Sequence, residues 1–424
     1  MSPPSAIICL TGSELTRGET HDRNGPYLAR ELTELGFRIE EIRLSPDDLE
    51  ALEASFRRAM EGADLVIISG GLGPTADDLT TEALARALGR GVHRDARAQA
   101  AMRERALKRL GNESRIPANY YKQAEVIDGA RVLHNPLGLA PGCLVETGRG
   151  QAYTLPGVPA ELIAMFRERV LPAVLERFRL TRPRIARAKI LGVPESVAEA
   201  RIQGLGIDFS RVEYGISARP GELTVRFLSR GESDDRYVSE VLTRLEREFE
   251  DALLVLPEGL GDEGDARLSK VVHDLLAASG LTLATAESCT GGLVATQLTD
   301  HPGSSAYFRG SVVAYENSVK ERLLGVDAAL LGDRGAVSEE VCRAMASGVK
   351  ERFAVDYGVS TTGIAGPDGG SDAKPVGLVY IGLAGPSGAP RTVERRFHGD
   401  RRMVRAQAAT LCLDLLRREL QARR

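Results

Sequence analysis

The 424-residue chain is predicted to be an α/β protein, because short apolar runs alternate with amphipathic helical segments along most of its length. Apolar runs of this kind fit buried parallel strands, and the helical segments fit the crossovers between them. The length, with a hydrophobic content of 43%, is enough for about three domains with packed cores.

The alternation is clearest in a first domain, residues 1–178. Its predicted elements, in order, are a strand at 5–11, a helix at 22–35, a strand at 38–44, a helix at 47–60, a strand at 63–69, a basic helix at 95–110, a strand at 143–147 and a helix at 161–178. Strands that alternate with helices predict a parallel sheet.

A smaller α+β domain is predicted at 179–257, and an α/β domain at 262–424, with the glycine-rich and acidic stretch 258–264 as the linker. The middle domain should hold helices at 194–204 and 233–250 and strands at 212–217, 222–229 and 253–256. The last domain should begin with a helix at 266–279.

Composition narrows the possible functions. No apolar run reaches the ~18 residues of a membrane span, and the first ten residues lack the basic region of a signal peptide, so a cytoplasmic protein is expected. The net charge of −4 argues against direct nucleic-acid binding. The five scattered cysteines and dispersed histidines predict neither disulfides nor a zinc site.

One candidate site follows the strand at 63–69, in the sequence GGLGPTADDLT. Backbone at Gly70, Gly71 and Gly73 can approach a phosphate closely, and the following helix would supply N–H donors. Asp77 and Asp78 are candidate ligands of a divalent metal that neutralises a pyrophosphate. The alternative is a glycine turn before a helix capped by these aspartates.

The segment 116–123 (IPANYYKQ) lies farther along the same domain. Asn119 and Lys122 are candidate phosphate contacts, and Tyr120 or Tyr121 is a candidate for stacking on a base. The alternative, in which this loop only packs on the surface, is equally compatible with the sequence.

A second candidate site lies in 286–320, where an apolar strand meets Glu287-Ser288-Cys289-Thr290-Gly291-Gly292. Exposed N–H groups at such a turn bind anions or a developing oxyanion. A serine, a tyrosine and a lysine suffice for acyl transfer, because a desolvated lysine can deprotonate a serine hydroxyl. Cys289 is a weaker candidate nucleophile, since no histidine is placed to activate it.

Another glycine loop, 362–370, follows the predicted strand at 357–360. Thr362, Gly363 and Gly366 are candidate contacts to a nucleotide phosphate or ribose. Arg401 and Arg405 share one face of the closing helix, and arginine suits phosphate. Arg401 is the preferred candidate, while Arg405 is equally compatible with a solvated helix face.

Several motifs together resemble the CinA family: AESCTGG, the GSS-AYF-G segment at 303–310, Tyr315-x4-Lys320, TGIAGPDGG and, in the first domain, GGLGPTADDLT. The resemblance implies a molybdopterin-binding-like first domain similar to metal-dependent ADP-ribose pyrophosphatases. It implies a KH-like middle domain without a GxxG loop, and a last domain similar to nicotinamide mononucleotide (NMN) deamidases.

The resemblance also implies residue roles. Ser305 would be the nucleophile, Lys320 its base and Tyr315 the proton relay, while Ser288 with the N–H groups around Gly291 and Gly292 would stabilise the oxyanion. The reverse assignment of Ser305 and Ser288 stays open. In the first domain Asp78 and Glu82 would line the site, together with the loop 155–159.

The predicted function is therefore a hydrolase of pyridine-nucleotide salvage with two activities. The last domain would convert NMN to nicotinate mononucleotide and ammonia without a cofactor. The first would split ADP-ribose with a divalent metal of the Mg or Co type. Small nucleotides and further copies of the chain are the expected partners. The alternatives are a molybdopterin-binding protein and a non-enzymatic accessory of DNA uptake or recombination.

Overall fold

A computed structural model describes residues 3–112, 115–229, 231–256 and 267–423. The predicted linker at 258–264 lies outside these ranges. The chain forms two compact units, Met1–Pro183 and Arg184–Arg424. Within the described ranges, no helix combines the length and apolar character that a membrane crossing requires.

The first unit is built on a six-stranded sheet with the order β2-β1-β3-β8-β7-β6. Its strands, with the β4–β5 pair beside the sheet, are β1 (Ser5–Thr11), β2 (Arg38–Ser45), β3 (Leu65–Ser69), β4 (Val92–Arg94), β5 (Glu125–Ile127), β6 (Arg131–Leu133), β7 (Gly142–Glu146) and β8 (Gln151–Leu155). Its helices are α1 (Ser13–Thr16), α2 (Asn24–Leu35), α3 (Leu49–Gly62), α4 (Thr80–Leu88), α5 (Ala96–Leu110), α6 (Pro159–Met165) and α7 (Leu171–Arg177).

The sheet of the first unit is mainly parallel, as predicted, with two antiparallel strands added at one edge. The strands β2, β1, β3 and β8 run parallel, whereas β7 and β6 pair antiparallel at one edge. Every residue of β1, β3 and β8 is buried, as expected for strands covered on both faces. The helix predicted at 161–178 is broken by a π-helical turn at Phe166–Val170, just before Pro172.

The second unit contains two sheets. The first is antiparallel, with the order β10-β11-β9-β12, and the second has the order β14-β13-β15-β16-β17. The strands are β9 (Ile185–Leu191), β10 (Val212–Arg219), β11 (Glu222–Ser229), β12 (Leu253–Val255), β13 (Leu283–Glu287), β14 (Phe308–Val313), β15 (Tyr357–Gly363), β16 (Leu378–Ala384) and β17 (Arg391–Arg396).

The helices of the second unit pack on these two sheets. They are α8 (Glu195–Gly204), α9 (Glu232–Phe249), α10 (Leu268–Ser279), α11 (Leu293–Thr299), α12 (Asn317–Leu324), α13 (Ala328–Arg334), α14 (Glu339–Phe353) and α15 (Arg401–Ala422). In the larger sheet, β13 pairs in parallel with both β14 and β15, and β16 and β17 add antiparallel strands.

The middle domain predicted as a separate body is part of this second unit. Leu191, Leu254 and Leu256 belong to the same apolar core as α10 and α15. The Arg417 guanidinium also donates from Nη2 to the Asp251 carbonyl at 2.9 Å. The smaller sheet therefore covers an apolar surface of the last domain.

A buried ion pair within α15 orients Arg417 toward the turn that precedes β12. Asp414 is 1% exposed and accepts hydrogen bonds from Arg417, which is 4% exposed, and from Arg418. A buried guanidinium that loses its carboxylate keeps its full desolvation cost.

Replacing Asp414 with Asn should therefore lower the free energy of unfolding of the second unit by about 3 kcal/mol, since one partner of a buried pair is neutralised. Urea unfolding followed by circular dichroism measures this difference. Glu321→Gln, on the exposed surface of α12, is the control and should change stability by less than ~0.5 kcal/mol. Equal stabilities of the two variants would contradict the prediction.

Candidate active sites

The strongest candidate site lies at one edge of the larger sheet in the second unit. The parallel strands β13, β14 and β15 end there at Glu287, Val313 and Gly363. The antiparallel strand β16 begins at the same edge, because Val379 pairs with Gly363. Loops that follow parallel strands meet at such an edge, where ligands bind in open α/β sheets.

Ser288 follows the last residue of β13 and still continues the strand pairing, since its N–H donates to the Thr361 carbonyl at 3.0 Å. Strand alternation puts its side chain on the face of Ala284 and Ala286, which is covered by α12 and α14. Within the described residues, its hydroxyl makes no hydrogen bond. Ser288 is therefore available for reaction at this edge.

Lys320 reaches the same edge from α12. Its side chain is 1% exposed, and Nζ donates to the carbonyls of Ala314 at 2.8 Å and Tyr315 at 3.2 Å. Ala314 is the residue beside Ser288, because its N–H donates to the Glu287 carbonyl. Neighbouring strands lie about 4.8 Å apart, so the Ala314 backbone that accepts from Lys320 lies about one strand spacing from Ser288.

Burial lowers the pKa of Lys320 below its usual value of 10.5. The cause is desolvation, which disfavours the charged form of the amine. Two carbonyl acceptors hold the amine in place without supplying a negative charge. This is the environment that a lysine base requires.

Ser305 lies at the opposite edge of the sheet, which corrects its predicted pairing with Lys320. It is exposed in a 3₁₀ turn, Ser304–Ala306, that precedes β14. The register pairs Phe308 with Leu283 at the start of both strands and Val313 with Glu287 at their ends. The six residues of β14 span about 20 Å, so this strand separates Ser305 from the lysine.

Tyr315 is exposed, and its hydroxyl contacts Arg401 instead of Lys320. The hydroxyl accepts a hydrogen bond from Arg401 Nη2 at 2.6 Å, and Arg401 Nη1 donates to the Gly366 carbonyl at 2.9 Å. In the described residues, no hydrogen bond joins the Tyr315 hydroxyl to Lys320. The structure therefore gives no support to the predicted proton relay, and it joins Tyr315, Arg401 and the glycine loop at the mouth of the site.

The N–H groups of Gly291 and Gly292 are already engaged, which corrects their predicted role as anion donors. Gly291 donates to the Ser288 carbonyl at 3.2 Å. Gly292 donates to Oε2 of Glu287 at 2.9 Å. The sequence reasoning assigned no role to Glu287, although an acidic residue directly before a Ser-Cys-Thr-Gly-Gly turn was a usable signal.

Two other predicted residues serve the local structure. Thr362 is 1% exposed, and its hydroxyl donates to the Ala336 carbonyl at 2.8 Å, so it does not face a ligand. Gly363 ends β15 and opens the loop that carries Gly366. Arg405 of α15 donates from Nε and Nη2 to the Thr290 carbonyl and thus fixes the backbone of the serine turn.

The structure places Cys289 in an environment that disfavours the reactive thiolate. Its side chain is 5% exposed, and burial raises the pKa of its thiol to about 12. A thiol in this state carries almost no thiolate near neutral pH. The preference for serine over Cys289 therefore agrees with the structure.

In the first unit, a cleft of about 700 Å³ lies where β3 and β8 end. The lining includes Gly71, Gly73 and Asp78 of the glycine loop and Pro156–Val158 of the second predicted loop. Gly70 itself holds the two loops together, since its N–H donates to the Leu155 carbonyl at 3.0 Å. Arg105, Tyr120, Gln123 and Glu161 add further polar lining, and Arg105 and Glu161 were missed from the sequence.

Asn119 and Lys122 contact the glycine loop, which corrects their prediction as phosphate ligands. Asn119 Nδ2 donates to the Pro74 carbonyl at 3.0 Å, and Lys122 Nζ donates to the Thr75 carbonyl at 2.7 Å. Both side chains therefore fix the loop backbone beside the cleft.

The two predicted metal ligands separate in the structure. Asp78 lines the cleft and accepts hydrogen bonds from Thr75 only at Oδ2. Asp77 is exposed and is not part of the cleft lining. Among the described residues, no three His, Cys, Asp or Glu side chains are grouped to hold a metal ion. Asp78 and Glu82 both line the adjoining recess, and Glu82 also pairs with Arg86 at 2.6 Å.

The fold and the strand-end sites define the class: an α/β protein with a molybdopterin-binding-like first domain and a separate C-terminal α/β domain. The family profile described as a probable molybdopterin binding domain matches residues 7–176, and the profile of the CinA C-terminal domain matches residues 265–420.

Full-length relatives establish the family. A CinA-like protein of Acidobacterium capsulatum is 40% identical over 98% of this chain and 99% of its own length. A putative competence-damage inducible protein of Halothermothrix orenii is 37% identical over 93% and 94%. A CinA superfamily crystal structure from Klebsiella pneumoniae aligns at 34% identity and a TM-score of 0.36, over 37% of this chain and 96% of that chain. This chain belongs to the family of CinA-like proteins.

The lowered pKa of Lys320 predicts a pH-dependent stability. Between the folded-state pKa and the unfolded value near 10.5, the unfolded chain binds more protons, so stability rises with pH there. Below the folded-state pKa the cost of the buried charge is constant. Wild type should therefore gain stability relative to Lys320→Met as pH rises from 7 toward 10.

Urea unfolding of both proteins at several pH values measures this difference. Lys270→Met is the control, because Lys270 is partly exposed and pairs with Asp274 on the same helix. Its difference from wild type should not follow the pH trend of Lys320→Met. A constant stability difference between wild type and Lys320→Met over this range would contradict a buried amine with a lowered pKa.

Proposed function

We propose that the C-terminal domain hydrolyses the carboxamide of NMN, with Ser288 as the nucleophile and Lys320 as its base. The observation that carries this proposal is the buried amine of Lys320 on the carbonyl of Ala314, the residue beside Ser288, whose hydroxyl makes no hydrogen bond within the described residues. Membership of the CinA-like family and the resemblance to NMN deamidases support the choice of substrate. Ser288 replaces Ser305 as the nucleophile in this proposal, since Ser305 lies at the other edge of the sheet.

The proposed reaction has two halves. Neutral Lys320 takes the proton of the Ser288 hydroxyl as the oxygen attacks the carboxamide carbon. The lysine then returns the proton to the leaving nitrogen, and ammonia departs as the C–N bond breaks. In the second half Lys320 deprotonates a water molecule that cleaves the ester, which releases nicotinate mononucleotide and restores the serine.

The mouth of the site suits the phosphate end of the substrate. Arg401 is held there by its hydrogen bonds to the Tyr315 hydroxyl and the Gly366 carbonyl, and within the described residues it forms no salt bridge. A guanidinium in a fixed orientation binds a phosphate through paired hydrogen bonds. Binding the phosphate at the mouth would orient the carboxamide toward Ser288.

Ser288→Ala and Lys320→Ala should each lower kcat for ammonia release from NMN by at least about 1,000-fold, because a nucleophile and its base act as one unit. Ser305→Ala should stay within about threefold of wild type. Coupled measurement of ammonia and of nicotinate mononucleotide follows the reaction. The reverse pattern, with Ser305→Ala inactive and Ser288→Ala active, would reject the assignment.

The cleft of the first unit supports a second proposed activity, the hydrolysis of ADP-ribose to AMP and ribose 5-phosphate. Asp78 and Glu82 would hold a divalent metal, which neutralises charge on the pyrophosphate when bound. Arg105 offers a cation to the phosphates, and Tyr120 offers a ring face to the base. The cleft volume of about 700 Å³ falls in the usual range for sites of small molecules.

Asp78→Asn should reduce AMP formation from ADP-ribose and Mg²⁺ by at least about 100-fold, because the carboxylate that faces the cleft is lost. Asp77→Asn is the matched control, one residue away but outside the cleft, and should remain within about threefold of wild type. Chromatography of AMP measures both. If wild type forms no AMP with Mg²⁺ or Co²⁺, the first domain only binds its ligand, as a molybdopterin-binding protein would.

A further inference from the structure

We infer that Glu287 is a positioning residue of the deamidase site, whose buried carboxylate fixes the turn that presents Ser288. This inference rests on the proposed reaction at Ser288. Glu287 precedes the serine directly, but alternation directs its side chain to the opposite face of β13, toward α11. It is 1% exposed, and within the described residues its carboxylate accepts hydrogen bonds from the serine turn, from α11 and, at 3.5 Å, from the Thr285 hydroxyl.

The carboxylate accepts hydrogen bonds from four groups of the turn and of the first turn of α11. Oε2 accepts from the Thr290 hydroxyl at 2.7 Å, from Gly292 N at 2.9 Å and from Val294 N at 3.1 Å. Oε1 accepts from Ala295 N at 2.8 Å. A buried carboxylate with this many donors is fully compensated, and its bonds are stronger than those between neutral groups.

The turn needs such an anchor because of its glycines. Gly291 and Gly292 both have positive φ angles, 61° and 94°, which only glycine adopts at little cost. The conformational freedom of glycine also raises the entropy of other arrangements of this turn. The contacts from Glu287 select one arrangement of this segment.

Two further hydrogen bonds connect the serine turn to the neighbouring strands. Because the Thr290 hydroxyl donates to Glu287, it accepts from the Thr361 hydroxyl at 2.7 Å, which ties the turn to β15. The Glu287 backbone carbonyl accepts from Ala314 N, beside the carbonyl that holds Lys320. Glu287 thus fixes the serine turn with its side chain and the lysine-bearing loop with its main chain.

Glutamine has nearly the same shape as Glu287 but cannot accept the same set of hydrogen bonds. In Glu287→Gln one carboxylate oxygen becomes an NH₂ group that faces N–H donors, so at least one of the four bonds is lost. The serine then moves relative to Lys320, while Arg401 and Tyr315 are untouched. We therefore expect kcat for NMN to fall about 100-fold and KM to change less than about threefold.

The experiment compares full-length wild type, Glu287→Gln and Asp414→Asn. Asp414 is an equally buried carboxylate of the same unit, but it pairs with Arg417 and Arg418 away from the site. Ammonia release gives kcat and KM. A second readout, independent of the substrate, is the rate at which a fluorophosphonate probe labels Ser288, followed by mass spectrometry. Thermal unfolding shows that each protein is folded.

The inference predicts that Glu287→Gln lowers kcat and slows Ser288 labelling, each about 100-fold, while Asp414→Asn loses stability but keeps wild-type values of both. If Glu287→Gln does not fold, Thr290→Val, which removes one donor to the carboxylate, should slow labelling about tenfold, and Thr290→Ser should restore it.

Wild-type labelling and kcat in Glu287→Gln would overturn the inference, as would equal catalytic losses in Asp414→Asn, since the effect would then be general destabilisation. Absence of Ser288 labelling in wild type would also overturn it. If wild type releases no ammonia from NMN but its Ser288 labelling depends on Glu287, the substrate proposal fails and the positioning role stands.

Discussion

The parallel pairing of β13 with β14 and β15 is the constraint on which the candidate site of the second unit depends. Three strand ends and their following loops meet at one edge because all three strands point the same way. That alignment brings Ser288 beside Ala314, and Ala314 holds the amine of Lys320. The same alignment separates Ser305 from the site by the full length of β14.

The two buried ionisable side chains at this edge, Lys320 and Glu287, have different hydrogen-bond partners. Lys320 has carbonyl acceptors but no carboxylate partner, so its burial favours the neutral amine that a base needs. Glu287 has four donors within 3.1 Å, so the polar atoms of its buried carboxylate are satisfied by the chain.

In both candidate sites, polar side chains hydrogen-bond to the backbone of the glycine-containing loops. In the first unit Asn119 and Lys122 bind the carbonyls of the glycine loop. In the second unit Glu287 and Arg405 bind the N–H and carbonyl groups of the serine turn. Short glycine turns place backbone close to a ligand, and polar side chains restrict the freedom that glycine introduces.

The sequence by itself determined the α/β class, most strand and helix positions, the glycine loops at strand ends and the residue types of both sites. These follow from local periodicity and turn chemistry, which neighbouring residues encode. It also indicated Lys320 as a base and Asp78 as a cleft residue.

Only the tertiary structure decided which of these residues meet. Ser288 lies beside Ala314, whose carbonyl binds the Lys320 amine, and Ser305 lies at the other end of β14, because strand register is set by pairing between distant segments. Asp77 and Asp78 are neighbours in sequence but differ in exposure because the fold leaves only one of them in the cleft. The sequence predicted that the N–H groups of Gly291 and Gly292 would be free to bind an anion. In the folded chain Gly291 N–H donates to the Ser288 carbonyl, and Gly292 N–H donates to the buried carboxylate of Glu287.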